Sequence, residues 1–254
     1  MGFVSSFALL APIILILVLR LGRYRSFPVL LLYYSSVLIY NLLTEGYIKA
    51  DSSIEYYWGL TNNVMDAPLM ILFLTYFSTS KLFTRKMKIL ALSFVLFEII
   101  VIATIGFNID AMTIIMGPGL LIIFGLCLYF FIRHARLAIE NHKATGKAVI
   151  ISSLLFGYGC YTIIYLMYYI FKAHIGADGK VNAQYMNDTF LIYFIAASLS
   201  SVIMCIGLLI ERKRIQKLQE LKVTRKELST IYTETKRAVP LRTAILDFDR
   251  DQWN

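Results

Sequence analysis

Two acidic residues lie inside long apolar stretches of the chain, where a charged side chain is costly and indicates a function. Asp66 and Glu98 each stand among aliphatic and aromatic neighbours. A carboxylate in hydrocarbon costs roughly 3 kcal/mol or more unless it is protonated, paired or hydrated. The apolar stretches contain no Lys or Arg, so we expect neutral hydrogen-bond donors, a proton or a bound cation to hold these acids. For Glu98, a protonated side chain that bonds a neighbouring helix is an equally open interpretation.

Amide and acidic side chains accompany Asp66 at one predicted level of the membrane. Asn62 precedes Asp66 by four residues and therefore shares its helix face. Asn41 and Glu45 lie at the end of the preceding apolar stretch, which the predicted topology brings to the same level. This convergence predicts a polar site in the outer half of the membrane. A helix cap or an interhelical hydrogen bond remains the alternative for the amides.

Three phenols face this polar level in the prediction. Tyr158, Tyr161 and Tyr165 recur with helical spacing and form a stripe on one side of a helix. Together with Asn62 and Asp66 they predict an aromatic and acidic pocket that binds a small-molecule ligand. Packing of the same rings in the core of a helix bundle is the alternative.

Sequence signatures of enzymes are missing. The chain has no glycine-rich phosphate loop and no nucleophile elbow. His134, His142 and His174 all lie outside the apolar stretches, which excludes an intramembrane zinc hydrolase. We interpret Arg133 and His134 as part of a solvated basic loop. The expectation is a protein that is not an enzyme and has no cofactor and no metal ion.

The composition requires an apolar solvent for the elements that carry these residues. Apolar residues make up 58% of the 254 and charged residues 16%, and the mean hydropathy is +0.67. Soluble domains have about 45–50% apolar and about 25% charged residues. Seven apolar stretches are long enough to cross a bilayer. They predict an all-α membrane protein, a seven-transmembrane helix bundle, with spans at 3–19, 27–43, 60–79, 89–105, 112–132, 148–171 and 189–210.

The basic residues predict the orientation of this bundle. Of the 25 Lys and Arg residues, 22 fall on one side of the predicted spans, and only Lys49, Lys172 and Lys180 fall on the other. The positive-inside rule makes the basic side cytoplasmic, so the N-terminus is outside and the C-terminus inside. We expect a multi-pass protein of the cell membrane, in contact with membrane lipids. The net charge of +9 then reflects topology, and no nucleic-acid partner is expected.

Three regions follow from this pattern. Residues 1–210 form the bundle, and residues 211–237 form a cytoplasmic basic amphipathic helix. Residues 238–254 form an irregular C-terminal tail, because Pro240 ends the helical pattern. The amphipathic helix could lie on anionic lipid headgroups. It could instead form a short coiled coil that joins two copies of the chain or docks a cytoplasmic protein.

The architecture resembles the microbial rhodopsins. In that family the counter-ion carboxylate lies six residues before a Pro-Leu step, and here Asn62 has that place before Pro68 and Leu69. The spacing of Tyr158, Tyr161 and Tyr165 is similar to that of the aromatic residues lining retinal, and Gly207, Leu208 and Arg212 resemble the exit of the last helix. The retinal-bearing lysine would fall near Ile203 or Met204, where the chain has none. The resemblance therefore implies the seven-helix architecture without a retinal cofactor.

Two functions remain open from the sequence. The first is an integral membrane sensor, binding or partner-docking protein with a pocket in the outer half and a cytoplasmic helical tail. The second is a small-solute or proton-coupled transporter. Transporters usually have repeats with Gly or Pro interruptions at matching places, and here only the Gly117–Gly119 region interrupts a stretch. This difference favours the sensor.

Overall fold

The structure is a computed structural model that describes residues 2–24, 26–141, 144–173 and 183–234. Within these residues all regular structure is helical, with seven α-helices and two short 3₁₀ turns, Leu21–Arg23 and Thr75–Phe77. The α-helices are α1 (Gly2–Val18), α2 (Phe27–Thr44), α3 (Ser52–Leu74), α4 (Lys81–Ile105), α5 (Ile109–Asn141), α6 (Thr145–Ala173) and α7 (Ala183–Glu234).

Five of these helices, α2, α4, α5, α6 and α7, are long and apolar enough to cross a membrane. Helix α1 is apolar but has only 17 residues, or about 26 Å at 1.5 Å per residue. Helix α3 has 23 residues, but its first half carries Glu55, Asn62 and Asn63. The protein is thus membrane-embedded and all-helical, and many large apolar side chains lie exposed on its outer surface, as contact with lipid requires.

Six helices close into a ring, in which each packs against the next. Helix α1 lies between α2 and α7, α3 lies between α2 and α5, and α6 lies between α5 and α7. Helix α4 packs on α3 and α5 from outside this ring. Glycine allows the closest contacts: a Cβ atom at Gly119 of α5 would lie 3.1 Å from Ala67 of α3 and from Phe94 of α4. Such small residues let helix backbones approach within a membrane.

Several helices extend beyond the predicted spans. Helix α3 begins at Ser52, eight residues before the predicted span, and α5 continues to Asn141. His134 is therefore part of α5 and is only 2% exposed, so the interpretation of Arg133 and His134 as a solvated loop was wrong. Charge alone indicated a loop, but the helix continues because its aromatic face, including Phe130, packs on the segment after α3.

No break occurs at residue 210, where the predicted bundle ends. Helix α7 runs without interruption from Ala183 to Glu234, a length of 52 residues. Ile215 is still buried in the bundle, whereas Leu221, Val223 and Leu228 are exposed. The tail helix predicted over 211–237 is therefore the continuation of α7 within the described residues. The irregular tail predicted over 238–254 lies outside them.

Candidate functional site

A phenol of α6 contacts Asp66 of α3. The hydroxyl of Tyr158 on α6 donates a hydrogen bond to Oδ1 of Asp66 on α3, with an oxygen–oxygen distance of 2.6 Å. Tyr158 is 2% exposed and Asp66 is half-buried. Asp66 lies 14 residues after Ser52, or about 21 Å along α3, which places this contact near the middle of both helices. The bond thus joins α3 to α6, which are separated in the ring by α5.

A small cavity lies beside Tyr158. Its volume is about 20 Å³, which is enough for one water molecule. Residues from four helices, α1, α2, α6 and α7, line it, including Leu9, Tyr33, Tyr158, Tyr161 and Ser201. The cavity has phenolic and seryl hydroxyls on its wall, so it offers hydrogen-bonding groups in the centre of the bundle. A larger ligand would require the helices to move apart.

Two hydrogen bonds join α7 to α6 at the wall of this cavity. Ser153 Oγ donates to the carbonyl of Ser200 at 2.7 Å, and Ser200 Oγ donates to the carbonyl of Ser153 at 3.0 Å. A Cβ atom at Gly157 would lie 3.0 Å from Ser200 Oγ, so a side chain added there would press on the hydrogen-bonded Ser200 side chain of α7. The contact makes the position of α7 sensitive to the packing of α6 next to the cavity.

The two predicted amide residues bond to other helices instead of to Asp66. Asn62 Oδ1 accepts a hydrogen bond from Ser36 Oγ of α2 at 2.9 Å. Asn41 Nδ2 donates to Ser5 and Ser6 of α1, at 2.9 and 2.8 Å. Both amides thus act as the interhelical bonds that the sequence left as the alternative, and they tie α2 to its two neighbours.

The remaining predicted residues lie at different places. The Tyr161 ring stacks on Tyr193 of α7 with centroids 5.4 Å apart, and Tyr161 lines the cavity. Tyr165 donates instead to the carbonyl of Thr113 on α5 at 3.0 Å. Glu45 is exposed at the end of α2. Of the predicted set, Asp66, Tyr158 and Tyr161 come together, whereas Tyr165 and Glu45 lie apart from them.

Glu98 is buried, and one of its carboxyl oxygens lacks a hydrogen-bond partner among the described residues. Its side chain is 2% exposed, and Oε1 has no hydrogen-bond partner among the described residues. Phe94, one turn earlier on α4, packs on Gly119, next to the α3 segment that carries Asp66. Two carboxylates in neighbouring segments repel each other if both are ionised. Glu98 therefore lies on the helix that packs beside the Asp66 segment, and its Oε1 is buried without a donor among the described residues.

A second polar cluster lies at the end of the bundle from which α7 extends. Glu211 is fully buried and accepts hydrogen bonds from the Tyr76 hydroxyl and from Arg214. The Arg214 guanidinium contacts both carboxylate oxygens, with Nη2 at 2.5 Å from Oε1. A Cβ atom at Gly146 would lie 2.7 Å from Glu211 Oε2, so the start of α6 presses directly on this carboxylate. We call Tyr76, Glu211 and Arg214 the exit cluster.

Sequence patterns did not predict the exit cluster, and they predicted only part of the cluster around Asp66 and Tyr158. Tyr33 and Tyr34 line the cavity and interact with Tyr158 and Ser201 respectively, and their adjacent phenols in an apolar stretch were a usable signal. Tyr76 and Glu211 are 135 residues apart in the chain, and no local pattern links them. Within the described residues, no three His, Cys, Asp or Glu side chains are grouped as metal ligands would be.

Comparison with known proteins yields no relative: no protein-family model, no curated protein and no solved structure matches the chain. The resemblance to microbial rhodopsins therefore stays a prediction. The class that the fold defines is an all-helical membrane-embedded protein with five long apolar helices. Helix α7 joins the cavity beside Tyr158 to the exit cluster, and these features carry the functional proposal.

Proposed function

We propose that this protein is a seven-helix sensor of the cell membrane, with its N-terminus outside and its C-terminus in the cytoplasm. A small ligand or a proton acts on the cavity beside Tyr158, and the tail of α7 passes the change to a cytoplasmic partner or to a second copy of the chain. The protein is not an enzyme in this proposal. The distribution of basic residues supports the orientation.

One observation carries the proposal: a single helix forms both the wall of the cavity and the tail. Ala197, Ser200 and Ser201 of α7 line the cavity, and the same helix continues to Glu234. A continuous helix transmits a tilt or a rotation along its length, because its backbone hydrogen bonds keep it stiff. A change in packing at Ser200 is therefore expressed some 30 Å away at residue 221, at 1.5 Å per residue.

The tail has the surface that a docking helix needs. Leu221 and Leu228 are seven residues apart and so lie on one side of the helix, and they are 63% and 48% exposed. Charged residues surround them, including Lys222 and Arg225. This pattern supports a partner helix or a second tail as the element that covers Leu221 and Leu228.

Transport is the alternative, and the continuity of α7 from the cavity to the tail favours the sensor. A volume of about 20 Å³ holds one water molecule, so a bound ligand and a transported solute would both require the helices to move apart. Proton flux into proteoliposomes, followed with a trapped pH-sensitive dye, separates the two functions. The sensor gives the same flux as empty liposomes. A flux that Asp66→Asn abolishes would instead make the protein a proton-coupled transporter.

The proposed orientation has its own test in a cysteine-free variant. Single cysteines replace Tyr47, in the loop after α2, and Leu221, in the tail; both side chains are exposed. A membrane-impermeant maleimide added to intact cells should label the Tyr47→Cys protein and not the Leu221→Cys protein. Permeabilised cells should show labelling of both. Labelling of Leu221→Cys in intact cells would contradict the topology.

A further inference from the structure

Three cationic side chains from three helices gather around the segment that follows α3. Arg133 of α5 donates to Thr79 Oγ1 at 2.6 Å, and Arg214 of α7 lies 3.4 Å from the Tyr76 hydroxyl. The Lys147 ammonium of α6 lies 4.7 Å from the centroid of the Tyr76 ring. Because Tyr76 and Thr79 are only three residues apart, these contacts bring the three cations to one small region.

One buried carboxylate of the described residues contacts this region. Glu211 is the carboxylate in contact with the region, and it is already enclosed by Tyr76, Arg214 and the first turn of α6. His134 forms the floor between the three cations: Nε2 lies 3.1 Å from the Phe77 carbonyl, and Nδ1 has no partner among the described residues.

The region is open to a ligand at its rim. Arg133, Lys147 and Arg214 are all half-buried, so their outer nitrogen atoms can reach a group that approaches from outside. Ile132, which precedes Arg133, is 61% exposed on the apolar surface of α5. Basic pockets between helices on the cytoplasmic side of a bundle are suited to anionic headgroups, whose acyl chains lie along the adjoining apolar surface.

We propose that Arg133, Lys147 and Arg214 form a binding site for a negatively charged phosphate group. Arginine supplies a planar, bidentate donor for phosphate oxygens, and lysine supplies a point charge. The phosphate group belongs to the headgroup of an anionic lipid or to a soluble phosphate compound, and both would make the same contacts. Occupancy would neutralise the cations beside the exit cluster and stabilise the packing of α5, α6 and α7 there.

The test is thermal unfolding of the full chain in nonionic micelles. Phosphatidylglycerol, phosphatidylcholine or inorganic phosphate is titrated in, with sodium chloride at matched ionic strength as the blank. We expect phosphatidylglycerol to raise the melting temperature and zwitterionic phosphatidylcholine to leave it unchanged. An equal effect of inorganic phosphate would assign the site to soluble phosphate compounds as well. No rise with phosphatidylglycerol or with inorganic phosphate would overturn the proposal.

Variants locate the site. Arg133→Gln combined with Lys147→Gln should weaken the titration midpoint by about 30-fold, or about fivefold for each cation near the surface. Arg214 is kept, because it satisfies the buried Glu211. The matched control combines Lys86→Gln with Lys88→Gln, two exposed lysines of α4, and should leave the midpoint unchanged. If the double variant of the site fails to fold, each single variant is titrated for its fivefold loss. Equal losses in control and site variants would refute the site.

Discussion

The hydrogen bond between Tyr158 and Asp66 allows a quantitative prediction, because one atom can be removed without a change in packing. Tyr158→Phe deletes the hydroxyl that lies 2.6 Å from Asp66 Oδ1 and leaves the 2% exposed ring in place. A hydrogen bond to a charged group contributes about 1.5–3 kcal/mol in soluble proteins, whereas interhelical bonds in a membrane average about 0.6 kcal/mol. We expect a loss of about 1–2 kcal/mol in the free energy of unfolding.

Two substitutions of Asp66 extend the prediction. Asp66→Asn keeps an oxygen that accepts from the Tyr158 hydroxyl, so the loss should stay below about 1 kcal/mol. Asp66→Leu removes the acceptor of the Tyr158 hydroxyl and should cost about 1–3 kcal/mol. In the Asp66→Leu background, Tyr158→Phe removes a hydroxyl that has already lost this acceptor, so it should cost less than in the parent. The double-mutant cycle therefore isolates the bond.

Reversible unfolding in mixed micelles with increasing sodium dodecyl sulfate, followed by circular dichroism, gives these free energies. Tyr129→Phe is the matched control, since Tyr129 is 49% exposed on the outer face of α5. It should change the free energy of unfolding by less than about 0.5 kcal/mol. If Tyr158→Phe costs no more than the control, or if the cycle shows no coupling, the bond does not hold Asp66 and the reasoning fails.

Three further predictions use the same unfolding assay. Glu98→Leu should raise the free energy of unfolding, because it removes a buried oxygen that has no partner among the described residues; a loss above about 1 kcal/mol would mean that Glu98 has a partner after all. Gly146→Ala should cost about 1–3 kcal/mol, since the new Cβ meets the Glu211 backbone nitrogen at 2.8 Å. Gly125→Ala, where a Cβ meets nothing within 4 Å, should instead gain about 0.5–1 kcal/mol; equal effects at both glycines would argue against the α6–α7 contact. Arg214→Leu should cost about 3–5 kcal/mol because it leaves the buried Glu211 with the Tyr76 hydroxyl but without its cation, and adding Glu211→Leu should recover part of that loss; no recovery would contradict the exit cluster.

The helices could be predicted from the sequence because a membrane requires long apolar runs, and the runs stand out against their charged borders. The start of α3 could not, since its first turns, from Ser52 to Tyr57, mix polar and apolar residues, are mostly exposed and form no long apolar run. The burial of His134 was missed for a related reason. Basic residues indicate the end of a membrane span, but they do not show whether the helix continues beyond it.

The stripe of phenols shows how far helical periodicity can place a site. Tyr158 and Tyr165 lie on the same face of α6 but two turns apart, or about 10.5 Å along the axis. Only Tyr158 is therefore level with Asp66, and Tyr165 reaches Thr113 on α5 instead. Periodicity gives the face of a helix, whereas the level of a residue on the neighbouring helix depends on tertiary packing that no local pattern contains.

We propose that packing at the cavity sets the position of the tail, and a substitution at Gly157 tests this coupling. Spin labels at Leu92 of α4 and Leu221 of the tail, both exposed, report the distance between bundle and tail in a cysteine-free chain. Gly157→Leu places its Cβ against Ser200 of α7, whereas the Cβ of Gly159→Leu, two residues along α6, would lie 3.4 Å from Phe124 of α5. We expect a resolved shift of the distance distribution for Gly157→Leu and none for Gly159→Leu. Identical distributions for both variants and the parent would contradict it.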